Sequence, residues 1–271
     1  MAPLLTIAIP TYNRLPYLRE LLPDLIRQCK PYPHIEILVI DNHSDDGTFN
    51  YAAETGYPRI CRNPVNVGPD ENFVRCIEEA RGDYVWLLGD DELLPDGAIG
   101  RVVKILHDHP ATLIISGLPG STEKSYWSYK SFIEDNLVHI MIEHAHIPRN
   151  IFKRAIFNCQ KARQFQDTYM GHMYGMIPAL MNAGTIYRTN QPIVSVRKNR
   201  APLHTPISFL TLHFLQYLKY IGVPWYRRMW FLVGYTFWGA VQRNAGKCRD
   251  ILKDTSNQFL KDYNEKQWGF R

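Results

Sequence analysis

Three consecutive carboxylates, Asp90, Asp91 and Glu92, follow an apolar run and are the strongest candidates for chemistry in this chain. Like charges this close repel one another unless a cation or solvent relieves them. Carboxylate oxygens suit a hard divalent ion, Mg²⁺ or Mn²⁺, which would offset the charge of a diphosphate. The alternative is a solvated acidic turn, but the position after a predicted buried strand favours ligand binding.

Two further polar clusters stand in similar positions, Thr11 to Arg14 and Asp41-Asn42. The carboxylate of Asp41 can accept hydrogen bonds from a nucleobase or a ribose. It could instead close an Asx turn, a role that the nearby Asp45 and Asp46 could equally fill. Tyr12 could stack on a base or simply pack at the edge of a sheet. Gly68 and Asn72 flank a predicted helix N-terminus, which favours anions, although an ordinary turn would look the same.

Alternating strand and helix patterns predict how these clusters are positioned. Continuous β-prone runs predict strands buried on both faces, and apolar residues at helical spacing predict the helices between them. The predicted strands are Leu4–Ile9, Ile35–Ile40, Arg59–Arg62, Asp83–Leu88 and Leu113–Ser116, with Pro10 ending the first; the predicted helices cover residues 18–26, 48–55, 69–81 (with Gly82 as a C′ glycine) and 96–107. Such alternation indicates a doubly wound α/β sheet, whose ligands bind beyond the carboxyl ends of its strands. We therefore expect the three polar clusters to converge on one crevice.

The rest of the chain is predicted in less detail. Residues 117–129 are expected to form a loop, residues 130–160 to be mixed or helical, and residues 186–196 to form a last pair of strands. Beyond residue 200 the chain is helical in pattern, apolar and aromatic. We predict two domains, residues 1–200 and residues 201–271.

Composition and charge exclude several classes of protein. Hydrophobic residues make up 45% of the 271 residues and charged residues 21%, which excludes disorder and collagen-like structure. Five scattered cysteines favour a reducing compartment over a disulfide framework. The N-terminus lacks the pattern of a signal peptide, and no run reaches the ~20 apolar residues that span a bilayer. The charge balance is −4 over residues 1–189 and +9 over residues 190–271, so acidic chemistry and basic surface binding are expected in different parts of the chain.

No Rossmann dinucleotide, P-loop, zincin or α/β-hydrolase motif occurs in the sequence. The segments LLTIAIPTYNR, IEILVIDNHSDDGT and NVGPDENFVRCIEEARGDYVWLLGDDELLPDGAI, in this order, instead resemble the nucleotide-sugar-binding half of a family 2 glycosyltransferase with the GT-A fold. The resemblance covers residues 4–115, with weaker similarity to residue 200. Within the family the chain is most similar to bacterial enzymes that build O-antigen and capsule repeat units, including abequosyltransferase-like proteins.

The resemblance implies site residues. Those implied to surround or lie near the nucleotide are Pro10, Thr11, Tyr12, Arg14, Asp41, Asn66, Gly68 and Asn72. Asp90 and Asp91 are implied to hold the metal–diphosphate and the donor sugar. The chain departs from the family pattern at Asn42, where a second acidic residue is usual, and at Leu88, where the first carboxylate of the DxD motif is missing. Asp90 is therefore the expected direct metal ligand.

An inverting enzyme of this family also needs a general base near the acceptor hydroxyl. Asp167, in the segment FQDTYMGHMYGM, is one candidate, and His172 is its rival because its ordinary pKa lies near neutrality. Arg197 could contact a diphosphate or belong to a solvated basic turn. The tail from residue 207 to 244 interleaves aromatic and basic residues, a pattern typical of a helix in the membrane interface, although helices packed on the catalytic domain or a dimer interface would also account for it.

The sequence therefore predicts a GT-A enzyme that transfers a sugar from a nucleotide donor to a saccharide or polyprenyl-diphosphate-linked acceptor. The expected setting is bacterial surface polysaccharide assembly, peripheral on the inner face of the cytoplasmic membrane. No nucleic acid partner is expected, because no segment of the sequence forms a recognised nucleic-acid-binding motif. Two alternatives stay open, a sugar-nucleotidyltransferase, whose usual Gly-rich loop is absent after the first strand, and a degenerate module that only binds nucleotide sugars.

Overall fold

The computed structural model describes residues 2–117, 121–135, 144–166, 168, 170–195, 215–226 and 228, and it has a mixed α/β architecture. The elements in chain order are β1 (Leu5–Thr11), α1 (Leu15–Cys29), β2 (Ile35–Asp41), α2 (Thr48–Glu54), β3 (Arg59–Arg62), α3 (Pro69–Glu79), β4 (Tyr84–Leu87), α4 (Ala98–Asp108), β5 (Leu113–Ile115), β6 (Lys124–Tyr126), α5 (Tyr129–Asp135), β7 (Asn150–Lys153), α6 (Cys159–Arg163), α7 (Gly171–Ala183) and β8 (Ile186–Arg188).

Within the described residues, eight strands form a single sheet in the order β3-β2-β1-β4-β7-β5-β8-β6. Strands β1 to β4 run parallel, and β5 and β8 run parallel to each other. Only β7, which is antiparallel to both β4 and β5, and β6, which is antiparallel to β8, run the other way. The prediction of a mostly parallel sheet is confirmed, and its parallel strands carry their carboxyl ends to one edge.

Helices cover both faces of this sheet, as its two-sided apolar strands require. The leucines of α1 that recur at helical spacing, Leu18, Leu22 and Leu25 among them, are fully buried in one core cluster with residues of β1 and α4. Helix α3 packs against β1 and β2 through its own buried side chains, including Val74 and Ile77. The packed helices and sheet therefore hold the ends of the parallel strands in fixed positions relative to one another.

Several local predictions were wrong. Strand β1 continues through Pro10 to Thr11 rather than ending at Ile9, since the φ that proline imposes is compatible with an extended chain. Helix α3 ends at Glu79, and Gly82 is not a left-handed cap. A Cβ at Gly82 would lie 2.5 Å from the backbone nitrogen of Thr6, so glycine is needed there for close approach to β1.

Two strands were missed altogether. Strand β6 lies within the predicted loop 117–129, and β7 lies within the segment 130–160 that was expected to be mixed or helical. Of the predicted last strand pair, residues 186–188 form β8, and Ser195 makes an isolated antiparallel bridge with Leu93.

The chain divides into two compact units, Met1–Tyr217 and Leu218–Arg271. The predicted domain boundary at residue 200 lies outside the described residues and stays a prediction. Of the predicted helical appendage the structure describes residues 215–226 and 228, of which 215–220, 225–226 and 228 are helical. Among the described helices none has the length and apolar character needed to cross a bilayer.

Candidate active site

The first two polar clusters meet because β1 and β2 are paired in parallel register. Thr11 and Asp41 are the last residues of their strands and lie opposite each other. The backbone N–H of Asn42 donates to the carbonyl of Thr11 over 2.8 Å, which extends the pairing one residue beyond Asp41.

The third cluster joins the same edge through Asp90. Strand β4 pairs with β1, and Leu88 N–H continues the pairing to the carbonyl of Ala8 at 2.9 Å. Two residues on, the buried hydroxyl of Thr11 donates to Oδ2 of Asp90 over 2.8 Å. The guanidinium Nε of Arg14 lies 3.9 Å from Asp90 Oδ1. The structure thus brings together Thr11, Asp41 and Asp90 at one rim of the sheet, as the sequence predicted.

The carboxylate of Asp41 is completely buried at this rim. Its Oδ2 accepts a hydrogen bond from Ser44 N–H at 3.1 Å and lies 3.3 Å from Nε of Arg62, whose guanidinium stacks 5.2 Å above the ring of Phe49. Among the described residues, Oδ1 of Asp41 has no hydrogen-bond partner. Arg62 was not predicted from the sequence as a site residue, although its place at the end of the predicted third strand could have indicated it.

Tyr12 and Asn13 form the turn that leaves β1. Asn13 adopts a left-handed conformation with φ 52°, and its side-chain oxygen accepts from Asp45 N–H at 2.9 Å. The side chain of Tyr12 is 44% exposed beside this turn. Pro10 lies one residue inside the strand, opposite Ile40. An exposed ring directly beyond Thr11 is available to a planar ligand at the rim.

The loop before α3 is tied to the end of β2. The side-chain amide of Asn42 donates to Asn66 Oδ1 and to the carbonyl of Gly68, at 2.8 and 3.3 Å. Asn72 is buried, and its amide donates to the carbonyl of Ile40 at 3.3 Å, so its side chain contacts the sheet backbone. Asn66 and Gly68 therefore lie at the rim, whereas Asn72 supports it from within.

The three consecutive carboxylates do not form one cluster. Asp90 faces Thr11 and Arg14, whereas Glu92 is buried with its Oε1 3.5 Å from Nε2 of His146. Across the part of the chain that the structure describes, no three His, Cys, Asp or Glu side chains are arranged to hold a metal ion. A single carboxylate at the rim still suits Mg²⁺ or Mn²⁺, because such ions are commonly held by one or two carboxylates together with phosphate oxygens.

His172 lies in the first turn of α7 and is only 3% exposed. Burial, and to a lesser extent the neighbouring His144, lowers its pKa to about 3. The pKa of His144 is itself lowered to about 4 by burial. Both imidazoles are therefore neutral at pH 7. The rival base, Asp167, and Arg197 lie outside the described residues.

The segment that leads into residue 167 is held against α3. Arg163 makes three hydrogen bonds to Glu71, of 2.7, 2.9 and 3.2 Å, and two to Glu78, of 2.8 and 2.9 Å. Gln166 also donates to Glu71, over 2.8 Å. Paired with two carboxylates, the Arg163 guanidinium has a pKa raised above its usual value. Helix α3 therefore carries the rim residues at its N-terminus and anchors the segment before Asp167 through Glu71.

Residues 6–170 match the sequence profile of the family described as Glycosyl transferase family 2. Abequosyltransferase RfbV of Salmonella typhimurium is 44% identical over 96 residues, which are 34% of this chain and 29% of RfbV. The matches to the curated relatives span between 13% and 40% of the length of those relatives. Two solved structures share the fold. S. aureus TarS 1-349 in complex with UDP-GlcNAc has a TM-score of 0.59 at 16% identity, covering 78% of this chain and 64% of that one. The mannosyltransferase PcManGT from Pyrobaculum calidifontis, in complex with GDP-Man and Mn²⁺, has a TM-score of 0.58 at 18% identity, covering 82% and 64%.

Proposed function

This chain belongs to glycosyltransferase family 2, and we propose that it transfers a sugar from a nucleotide-sugar donor to a saccharide acceptor during bacterial surface polysaccharide assembly. The observation that carries the proposal is the convergence at one rim of Thr11, Asp41 and Asp90, which come from three separate strands. The similarity to abequosyltransferase RfbV supports the proposed biological setting.

The nucleoside is proposed to bind beyond β1 and β2. Asp41 accepts a hydrogen bond from the base or ribose through Oδ1, the oxygen that has no partner among the described residues. The exposed ring of Tyr12 stacks on the base, while Asn66 and Gly68, which are bonded to Asn42 after β2, also line the nucleotide. Arg14 lies beside Asp90 and supplies a positive charge near the phosphates.

A divalent cation, Mn²⁺ or Mg²⁺, is proposed to be held by Asp90, with Asp91 helping to position the donor sugar. The bound ion would offset the negative charge that develops on the departing diphosphate. Thr11 fixes the orientation of the Asp90 carboxylate through its hydroxyl, so the ligand oxygen is placed before the donor arrives. The Mn²⁺ in the PcManGT complex supports the choice of metal.

Transfer is proposed to invert the anomeric carbon in one displacement. The acceptor hydroxyl oxygen forms a bond to that carbon as the bond to the diphosphate oxygen breaks, and a protein base takes the hydroxyl proton. We favour Asp167 over His172 as that base. His172 is neutral at pH 7, but its pKa is lowered to about 3, so it is a weak proton acceptor there. Glu71, Arg163 and Gln166 hold the segment that ends at Asp167.

The acceptor is proposed to be linked to a polyprenyl diphosphate, with Arg197 near a diphosphate and the C-terminal region at the inner face of the cytoplasmic membrane. Within residues 218–228, Trp225 is 70% exposed and Tyr226 42% exposed, close in sequence to Lys219 and Arg228. Exposed tryptophan and tyrosine beside basic residues suit the headgroup region of a bilayer.

The test is to screen UDP-, GDP- and CDP-sugars for thermal stabilisation with and without Mn²⁺, and then to assay transfer to membrane lipid extracts. We expect one donor to stabilise the protein and to give a glycosylated lipid product, because a ligand that binds only the folded state raises its stability by mass action. Stabilisation without transfer to any acceptor would indicate a module that only binds nucleotide sugars. No stabilisation by any donor would contradict the proposed function.

A further inference from the structure

Asn42 uses every hydrogen-bonding position of its side chain inside the protein. Its Nδ2 donates to Asn66 Oδ1 at 2.8 Å and to the Gly68 carbonyl at 3.3 Å. Its Oδ1 accepts from Asn63 Nδ2 at 2.8 Å and from Val67 N–H at 3.0 Å. A side-chain amide has two N–H donors and two acceptor lone pairs, so these four bonds saturate it.

A saturated side chain has nothing left to offer a ligand. Asn42 is also only 3% exposed, although it directly follows Asp41 at the rim. Three of its four partners, Asn66, Val67 and Gly68, belong to the loop that precedes α3. Its contribution is therefore to hold this loop against the end of β2.

Asn63 extends the same network to helix α3. Its amide bonds both Asn42 Oδ1 and, at 2.9 Å, Asn72 Oδ1, while its backbone N–H donates to the carbonyl of Asp41 at 2.8 Å. Asn72 in turn donates to Ile40 in β2. The buried amides of Asn42, Asn63 and Asn72 thus connect the strand end, the loop and the first turn of the helix.

We propose that Asn42 is the positioning residue of the nucleotide site, acting through the loop that carries Asn66 and Gly68. The inference rests on the proposed function, in which those two residues line the nucleotide. An amide is required because both Nδ2 partners are oxygens. A carboxylate at position 42 would place an acceptor against Asn66 Oδ1 and the Gly68 carbonyl, and would bury a charge there. It could still accept from Asn63 and Val67.

Asn42→Asp is therefore the informative variant, because it keeps the shape and both accepted bonds, breaks the two donor bonds, and adds a charge that a control variant can match. Asn50→Asp is the matched control, since Asn50 is exposed on α2 and the change adds the same charge. The affinity for UDP, GDP and CDP, each with Mn²⁺, is measured by titration calorimetry for the full chain. We expect Asn42→Asp to lower the affinity for the tightest-binding of the three nucleotides by about tenfold or more, the scale of two lost hydrogen bonds. Asn50→Asp should leave that affinity unchanged.

Amide hydrogen exchange separates loop positioning from general destabilisation. The Gly68 N–H is held by Asn66 Oδ1 at 2.9 Å, so Asn42→Asp should speed its exchange at least several-fold relative to amides of β1. Asn66→Asp keeps an acceptor for the bonds from Asn42 Nδ2 and from the Gly68 N–H, so it should leave the Gly68 amide protected. If Asn42→Asp does not fold, Asn42→Ala removes the side-chain bonds without adding a charge. It should show the same loss of nucleotide affinity and the same loss of protection at the Gly68 amide.

Three results would overturn the inference. Nucleotide binding as tight as in the wild type by Asn42→Asp, or by Asn42→Ala in its place, together with a lower melting temperature would make Asn42 purely structural. Unchanged Gly68 exchange would contradict its action through the loop. If the wild type binds none of the three nucleotides, the proposed function fails, and the positioning role fails with it.

Discussion

The hydrogen bond from Thr11 to Asp90 joins two residues that are 79 positions apart in the chain, and Thr11→Val tests it directly. Valine keeps the β-branched shape in β1 and replaces the hydroxyl with a methyl group. Both side chains are buried, so Asp90 Oδ2 would lose a 2.8 Å donor without gaining water in its place.

A hydrogen bond to a charged group contributes about 1.5–3 kcal/mol to stability. For a domain of this size each kcal/mol shifts the melting temperature by about 2–4 °C, so we expect Thr11→Val to lower it by about 3–12 °C. Thr11→Ser is the matched control because it keeps the hydroxyl and removes only a methyl group, at a cost of about 0.8 kcal/mol.

Scanning calorimetry compares the melting temperatures of the wild type, Thr11→Val and Thr11→Ser. The Mn²⁺-dependent nucleotide affinity should fall with Thr11→Val as well, since the Asp90 carboxylate is no longer held in orientation. Equal melting temperatures for Thr11→Val and Thr11→Ser would show that the hydroxyl does not stabilise Asp90, and the reasoning about this rim would be wrong.

Two further predictions concern Asp41 and His172. Asp41→Asn keeps an acceptor for Ser44 N–H but removes the charge beside Arg62. The affinity for a nucleoside diphosphate, measured by titration calorimetry, should therefore fall by about tenfold, the scale of a hydrogen bond to a charged group. Unchanged affinity would exclude Asp41 from the site. His172→Phe tests the lowered pKa: between pH 6.5 and about 3 the unfolded chain binds a proton at His172 that the folded protein excludes, so wild-type stability falls as the pH drops through this range. Urea unfolding at pH 7, 6 and 5 should show a shallower decline in the variant, by at most about 1.4 kcal/mol per pH unit, and identical slopes would mean that the folded protein does not lower the pKa of His172.

The parts of the fold that follow local patterns could be predicted from the sequence. Strands β1, β2 and β4 are continuous apolar runs, and α1 and α3 have clear helical spacing. Strand β7 could not be predicted because it is four residues long and is defined by antiparallel pairing with β4 and β5, which are remote in sequence. The need for glycine at position 82 likewise depends on the approach of the Thr6 backbone.

The sequence predicted where the candidate site lies, but not which side chains contact one another there. Polar residues after parallel strands indicate a shared rim, and the bond between Thr11 and Asp90 places them there. The sequence could not tell that Glu92 turns away toward His146, nor that Arg62 pairs with Asp41. Side-chain direction at strand ends is set by neighbouring loops, which a one-dimensional pattern does not contain.

The central claim is that loops from separate strands grip one nucleotide-sugar at the edge of a single sheet. Hydrogen exchange measured by mass spectrometry, with and without the stabilising donor and Mn²⁺, tests it most directly. Peptides covering residues 11–14, 41–44, 66–72 and 88–92 should all gain protection at the same donor concentration. Protection confined to one of these segments, or found only elsewhere in the chain, would contradict the account.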